Sequence, residues 1–209
     1  MTLQRNRAKG EVTWSRVLCV TCDDVTQVLA SWCKPYAEVM RTGGLNVDCV
    51  VTSRVEALTR QAEPWRLVYL GHGDDNGLGA LSLGRDFEVM ISGEHLVSSG
   101  CVGVYAICCR GATAVGERMR SHGMEFLGFR GEPRICILHG EYVNRCRDAF
   151  GIPCGFARTG FNEFALNALQ GALGDLLEFF AQEKRRNILA RWHWMALRAT
   201  LAEAEPCLD

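Results

Sequence analysis

Short apolar runs alternate with stretches of helical period along the chain. "RVLCVTC" (16–22) is nearly all apolar and of strand length, which predicts a buried strand. "DDVTQVLASWCKPYAEVMRTGG" (23–44) follows it. Asp23 or Asp24 can cap a helix there, with apolar positions at Val25, Val28, Leu29 and Trp32 and a stop at Gly43–Gly44. Pro35 lies inside this helix and predicts a kink or a break. "LNVDCVVTS" (45–53) predicts a second strand, and "SRVEALTRQAE" (53–63) a capped helix. "WRLVYLGHG" (65–73) predicts a third strand running into a glycine-flanked turn. "GALSLGRDFEVMISGEHLVSSG" (79–100) reads as a hairpin followed by a short segment, and "GCVGVYAICC" (100–109) as a fourth strand. "GATAVGERMRSHG" (111–123) is helical and stops at Gly123; "MEFLGFRGE" (124–132) is a fifth strand ending in a turn. "PRICILHGEYV" (133–143) fits either a sixth strand or part of a helix.

Beyond residue 161 the period is helical. Leu166, Leu169, Leu173, Leu176, Leu177 and Phe180 recur at three- and four-residue steps, and Asn187 is a possible break between two helices. Continuous apolar strands alternating with helices predict a mainly parallel sheet covered on both faces. The expected organisation is one α/β domain over 1–209, with an N-terminal extension (1–15) and C-terminal helices (161–209).

Composition narrows the function classes. The 209 residues are 48% hydrophobic with a formal net charge of -1. A chain of this size buries enough surface to fold without disulfides or metal. Balanced charge gives no footprint for nucleic acid or an anionic membrane. "EKRRN" (183–187) contains its own acid and reads as a solvated helix face. No run reaches the roughly 18 apolar residues of a spanning helix, and the polar first residues lack a signal-peptide core, so a cytoplasmic location is expected. Eleven cysteines are many, and in a reducing compartment they are thiols. Cys19 and Cys22 have a two-residue gap, but no second pair completes a zinc pattern, and no metal or cofactor is expected. Most cysteines read as small buried hydrophobes.

Two strand ends carry chemistry. In doubly wound sheets, sites form beyond the carboxyl ends of the strands. The third strand ends in "GHG", placing His72 between glycines; the fourth ends in "CCRG", placing Cys109 before a helix. On neighbouring strands an imidazole and a thiol would face one crevice, as nucleophilic acyl transfer requires. The following helix would favour the thiolate, and the N–H groups of Gly73 and Cys109 could bind an oxyanion. The bland alternatives are a turn histidine and one more buried cysteine.

These segments resemble the caspase-like cysteine peptidases: caspases, separase, gingipains and bacterial CHAT proteases. In that group the histidine lies in a "(G/S)HG" motif and the cysteine in "(Q/S)AC" before a small turn. Against Q-A-C-R-G, the match is Cys109, Arg110 and Gly111, with Cys108 in the alanine position and Ile107 in the glutamine position. The 37 positions from His72 to Cys109 are fewer than the roughly 50 of caspases, which favours a compact bacterial-type relative. "EFLGFRGEP" (125–133) is similar to the strand that follows the catalytic helix in CHAT-like proteins. The resemblance covers residues 16–133. It implies a caspase-like, flavodoxin-like three-layer fold and a cysteine endopeptidase with His72 and Cys109 as the dyad, Cys108 remaining a possible attacking thiol. It also implies a protein substrate and control by a partner protein, an oligomer or processing, in bacterial defence or cell death.

Pocket chemistry has two readings. Asp74 and Asp75 would favour a basic residue before the scissile bond, by bidentate pairing; as a polar turn they would not. Arg110 and Arg130 would favour an acidic residue. His95, His122 and His139 have no metal-ligand spacing. In "RWHWM" (191–195), packing of Trp192 and Trp194 against the sheet or a partner is favoured over ligand stacking. Two other functions fit the pattern: a caspase-like module that binds a protein without catalysis, and a different cysteine hydrolase or transferase acting on a small molecule.

Overall fold

The computed structural model describes residues 11–52, 63–81, 87–136 and 140–208. The helix expected over 53–63 and His139 lie outside the described residues, apart from Glu63. The main sheet contains β1 (Trp14–Val20), β2 (Asn46–Thr52), β3 (Trp65–Leu70), β7 (Cys101–Ile107), β8 (Glu125–Phe129) and β9 (Pro206–Leu208). Its order is β2-β1-β3-β7-β8-β9. The first five strands run parallel, and β9 closes the edge antiparallel to β8. A small antiparallel sheet of β4 (His72–Gly73), β5 (Leu78–Leu81) and β6 (Phe87–Ile91) follows β3, which is the expected hairpin excursion.

Helices cover both faces of the main sheet. On one face α1 (Asp24–Thr42), α4 (Gly140–Phe150), α5 (Glu163–Glu183) and α6 (Ile188–Glu203) share a core with Val17, Cys19, Val68, Tyr105 and Leu127. The other face packs Leu18, Leu67, Tyr69, Val104 and Phe126 against α2 (Gly93–Ser98), α3 (Glu117–Ser121) and the small sheet. The chain is thus an α/β protein with a mostly parallel six-stranded sheet. Among the described residues no helix is long and apolar enough to cross a membrane.

The central strands form because every residue of β3 and β7 is buried, so continuous apolar runs suit both faces. Three expectations are refined. Helix α1 continues through Pro35. The proline forfeits a hydrogen bond at a cost of about 3 kcal/mol, and burial of Leu29, Trp32, Cys33, Tyr36 and Met40 on both sides of it offsets that cost. Residues 132–136 form no strand, and α4 begins at Gly140, so of the two readings of this stretch the helix holds for its last residues. The sixth strand is instead β9, three residues from the tail beyond the helices. In α6 the buried residue of "RWHWM" is His193, stacked on Phe180 at 5.1 Å; of the two tryptophans, Trp194 packs partly buried against the core as expected, whereas Trp192 is exposed.

Candidate active site

Asp23, His72 and Cys109 each lie two or three residues beyond the last residue of β1, β3 and β7. These three strands are adjacent, so carboxylate, imidazole and thiol follow one another along the sheet's carboxyl edge. With order 2-1-3, the sheet reverses its winding between β1 and β3, the place where doubly wound sheets form their crevice.

Asp23 caps α1. Its Oδ1 accepts from the Thr26 N–H at 2.9 Å, while the Thr26 hydroxyl accepts from the Asp23 N–H at 3.1 Å, completing a capping box. That leaves Oδ2 to meet His72 Nε2 at 2.5 Å. Partial burial of Asp23 works against ionisation, but the Thr26 N–H and His72 outweigh it and hold the carboxyl below its ordinary value. The ionised carboxylate accepts a hydrogen bond from Nε2–H, and Nδ1 is the nitrogen left to act as an acceptor. The His72 backbone is held as well: its carbonyl accepts from the Tyr69 hydroxyl at 2.9 Å. Sequence reasoning had Asp23 only as a cap. The signal for more was an aspartate just past the carboxyl end of a predicted central strand.

The cysteine loop packs directly on the histidine loop. A Cβ added to Gly73 would stand 2.5 Å from the Cys109 carbonyl oxygen and 2.9 Å from Cys108 Sγ, so only glycine permits this approach. Cys108 Sγ also lies 2.6 Å from a Cβ position at Gly111. Cys108 is buried in the core of that face, and burial pushes its thiol far up, which makes it a packing residue. Cys109 is half-buried. Arg110 follows with φ +50°, a left-handed conformation that costs a non-glycine residue about 1–2 kcal/mol. Its N–H donates to the Gly131 carbonyl at 2.8 Å, which secures the turn. A π-helical turn (Ala112–Gly116) comes next, a feature frequent at functional sites.

His72 and Cys109 are not hydrogen-bonded to one another among the described residues; His72 turns to Asp23 instead. Burial and the Glu132 carboxylate push the Cys109 thiol up, and Arg110 offsets them only partly. The expected thiolate is therefore not the form this geometry favours.

The pocket candidates separate. Asp74 builds the turn: Oδ1 accepts from the N–H groups of Asn76 at 2.7 Å and Gly77 at 3.1 Å. Asp75 and Arg110 pair at 3.1 Å, linking the two loops across the crevice and neutralising one another. Arg130 is exposed past β8, with its N–H directed to the Glu205 carbonyl at 3.5 Å. Among the described residues the side chains of Asp74, Asp75 and Arg110 are engaged in a turn and an ion pair rather than gathered as one acidic or one basic cluster. The fold also gathers Cys22, Asp23 and His72, whose ligand atoms lie within 4.8 Å of one another, a set no linear spacing revealed. A depression lined by Trp14, Arg41, Asn46 and Asp48 opens at the opposite end of β1 and carries no nucleophile.

Compared with known proteins, the chain matches no family model and no curated protein.

Proposed function

We propose that the chain is a caspase-like cysteine endopeptidase in a resting state, with Cys109 as nucleophile, His72 as base and Asp23 as the group that orients the imidazole. The observation that carries this reading is the order Asp23, His72, Cys109 on three adjacent strand tips at the switch point of the sheet. In the reaction, Cys109 transfers its proton to His72 Nδ1 and its sulfur bonds to the peptide carbonyl carbon. The carbonyl oxygen takes the displaced electron pair. Collapse of this intermediate breaks the C–N bond, and the leaving amine takes the proton from His72. Water then hydrolyses the thioester, with His72 again the base. The resting thiol is held protonated and is not hydrogen-bonded to its base among the described residues, which suits control by a regulatory partner, an oligomer or processing. The substrate is a protein and no cofactor takes part; a cytoplasmic role in bacterial defence or cell death is part of this reading.

One observation favours a second reading. A cysteine pushed up by burial and by a neighbouring carboxylate, and not hydrogen-bonded to the histidine among the described residues, also suits an inactive caspase-like module that binds a protein. Labelling with electrophilic peptide probes bearing Arg or Asp, mapped by mass spectrometry, separates the two. The peptidase forms an adduct on Cys109 that survives Cys108→Ala and falls by at least about 100-fold in rate in His72→Ala. No adduct, with candidate partners present, leaves the binding module.

A further inference from the structure

We propose that Cys22, Asp23 and His72 form a binding site for a divalent transition metal of the zinc class. The three side chains supply a thiol sulfur, a carboxylate oxygen and an imidazole nitrogen, all within 4.8 Å of one another. Cys22 Sγ lies 3.9 Å from Asp23 Oδ2, and His72 Nε2 lies 2.5 Å from the same oxygen. In a tetrahedral zinc site, with metal–ligand distances of about 2.0–2.3 Å, neighbouring ligand atoms sit about 3.3–3.6 Å apart. Reaching that spacing takes sub-ångström adjustments of these two contacts, and Cys22 is exposed and able to move.

The supporting shell is already built. The capping box holds Asp23 Oδ1, so Oδ2 is presented outward to the other two residues. The Cys22 N–H donates to Thr26 Oγ1 at 2.9 Å, tying the cysteine's backbone to the same cap. The Tyr69 hydroxyl holds the His72 carbonyl. Metal sites depend on such outer bonds to orient their ligands. Three mixed S, N and O ligands with an open fourth position suit zinc, whereas magnesium and calcium require oxygen ligands.

The site has a consequence that rests on the peptidase reading. Coordination through Nε2, the nitrogen that faces Asp23, places the ring proton of neutral His72 on Nδ1 and removes the acceptor that Cys109 needs. Metal and catalysis would then exclude one another.

Titrating the full chain anaerobically with Co²⁺ tests the site without any turnover. The expected result is one equivalent of cobalt with a thiolate-to-cobalt charge-transfer band, displaced by Zn²⁺. Cys22→Ala abolishes that band and weakens Zn²⁺ binding at least tenfold, while Cys109→Ala leaves both unchanged. Asp23→Asn keeps the helix cap and the band but weakens binding. Absence of the band in the native chain, its persistence in Cys22→Ala, or its loss in Cys109→Ala overturns the proposal. Failure here leaves the probe labelling of Cys109 untouched, and failure of that labelling leaves the cobalt band untouched, so the two readings fall separately.

Discussion

The two ends of the parallel sheet handle polar groups in opposite ways. At the amino end, Arg66 is completely buried in β3. Its Nε donates to Glu125 Oε2 at 3.0 Å and its Nη2 to Oε1 at 3.3 Å. Nη1 donates to the carbonyls of Ala157 at 3.2 Å and Arg158 at 3.0 Å, and Glu125 also accepts from the Phe161 N–H at 2.9 Å. Gly103 and Gly160 make room for the pair; a Cβ at Gly160, whose φ is +128°, would stand 2.5 Å from Glu125 Oε1. At the carboxyl end, Asp23, His72 and Cys109 are only half-buried, the turn after the cysteine is strained, and among the described residues the thiol makes no hydrogen bond with His72. One strand serves both ends: β3 carries Arg66 at its second position and leads to His72 two residues past its last. A buried charge surrounded by partners holds the layers in register. Polar groups left incompletely matched at a solvent-facing edge remain able to bind or react.

The sharpest break of this contrast is Arg66→Met. It leaves Glu125 without its counter-charge and is expected to cost about 3–5 kcal/mol in urea unfolding. His72→Ala at the other end should cost less than about 1 kcal/mol. Equal losses would mean that the carboxyl edge is also a structural element. Next in size is Gly73→Ala. Its methyl would meet the Cys109 carbonyl at 2.5 Å, so the histidine and cysteine loops must separate. Overpacking of this kind costs about 1–3 kcal/mol. Peptide-probe labelling of Cys109 should fall together with stability, whereas Arg66→Met, studied well below its melting point, should retain labelling.

Legibility in the sequence follows the same division. The central strands were readable because burial on both faces demands continuous apolar runs, as in "WRLVYL" and "CVGVYAI". His72 and Cys109 stood out because reactive residues follow such runs directly. Partners supplied from far along the chain were not readable. Arg66 sits inside an apolar run, and its buried ion pair depends on Glu125, 59 positions later. Asp23 looked like a helix cap, which it is; its second oxygen meets a histidine 49 positions away. Strand β9 has three residues and no period of its own, and it forms because α5 and α6 return the chain beside β8.

Asp23 allows the cap and the chemistry to be separated. Asp23→Ala removes the N-cap of α1 and should cost about 1 kcal/mol. Asp23→Asn retains a cap acceptor and should leave unfolding nearly unchanged. Both variants remove the carboxylate that sets the His72 tautomer, so both should slow probe labelling of Cys109 by about ten- to hundredfold. Loss of labelling in the alanine variant alone would tie the effect to helix stability and remove Asp23 from the site.

The smallest expected effect concerns the thiol itself. Burial raises Cys109, the Glu132 carboxylate raises it further, and Arg110 pulls the other way. Raised titration means the folded chain disfavours the thiolate. Alkylation by iodoacetamide should therefore keep climbing with pH beyond the ordinary thiol range, because the thiolate is the reacting species. By the same sign, the unfolded chain ionises this cysteine first, so its contribution to stability is present below the ordinary thiol value and is lost as pH rises through the folded one. Glu132→Gln should move the labelling curve to lower pH and speed labelling a few-fold at pH 8; Arg110→Gln should move it the other way. A plateau near neutral pH in the native chain that disappears in His72→Ala would show a thiolate held by the imidazole. In that case the solution state pairs His72 with Cys109 rather than with Asp23 alone, and the carboxyl end is already armed without an activating partner.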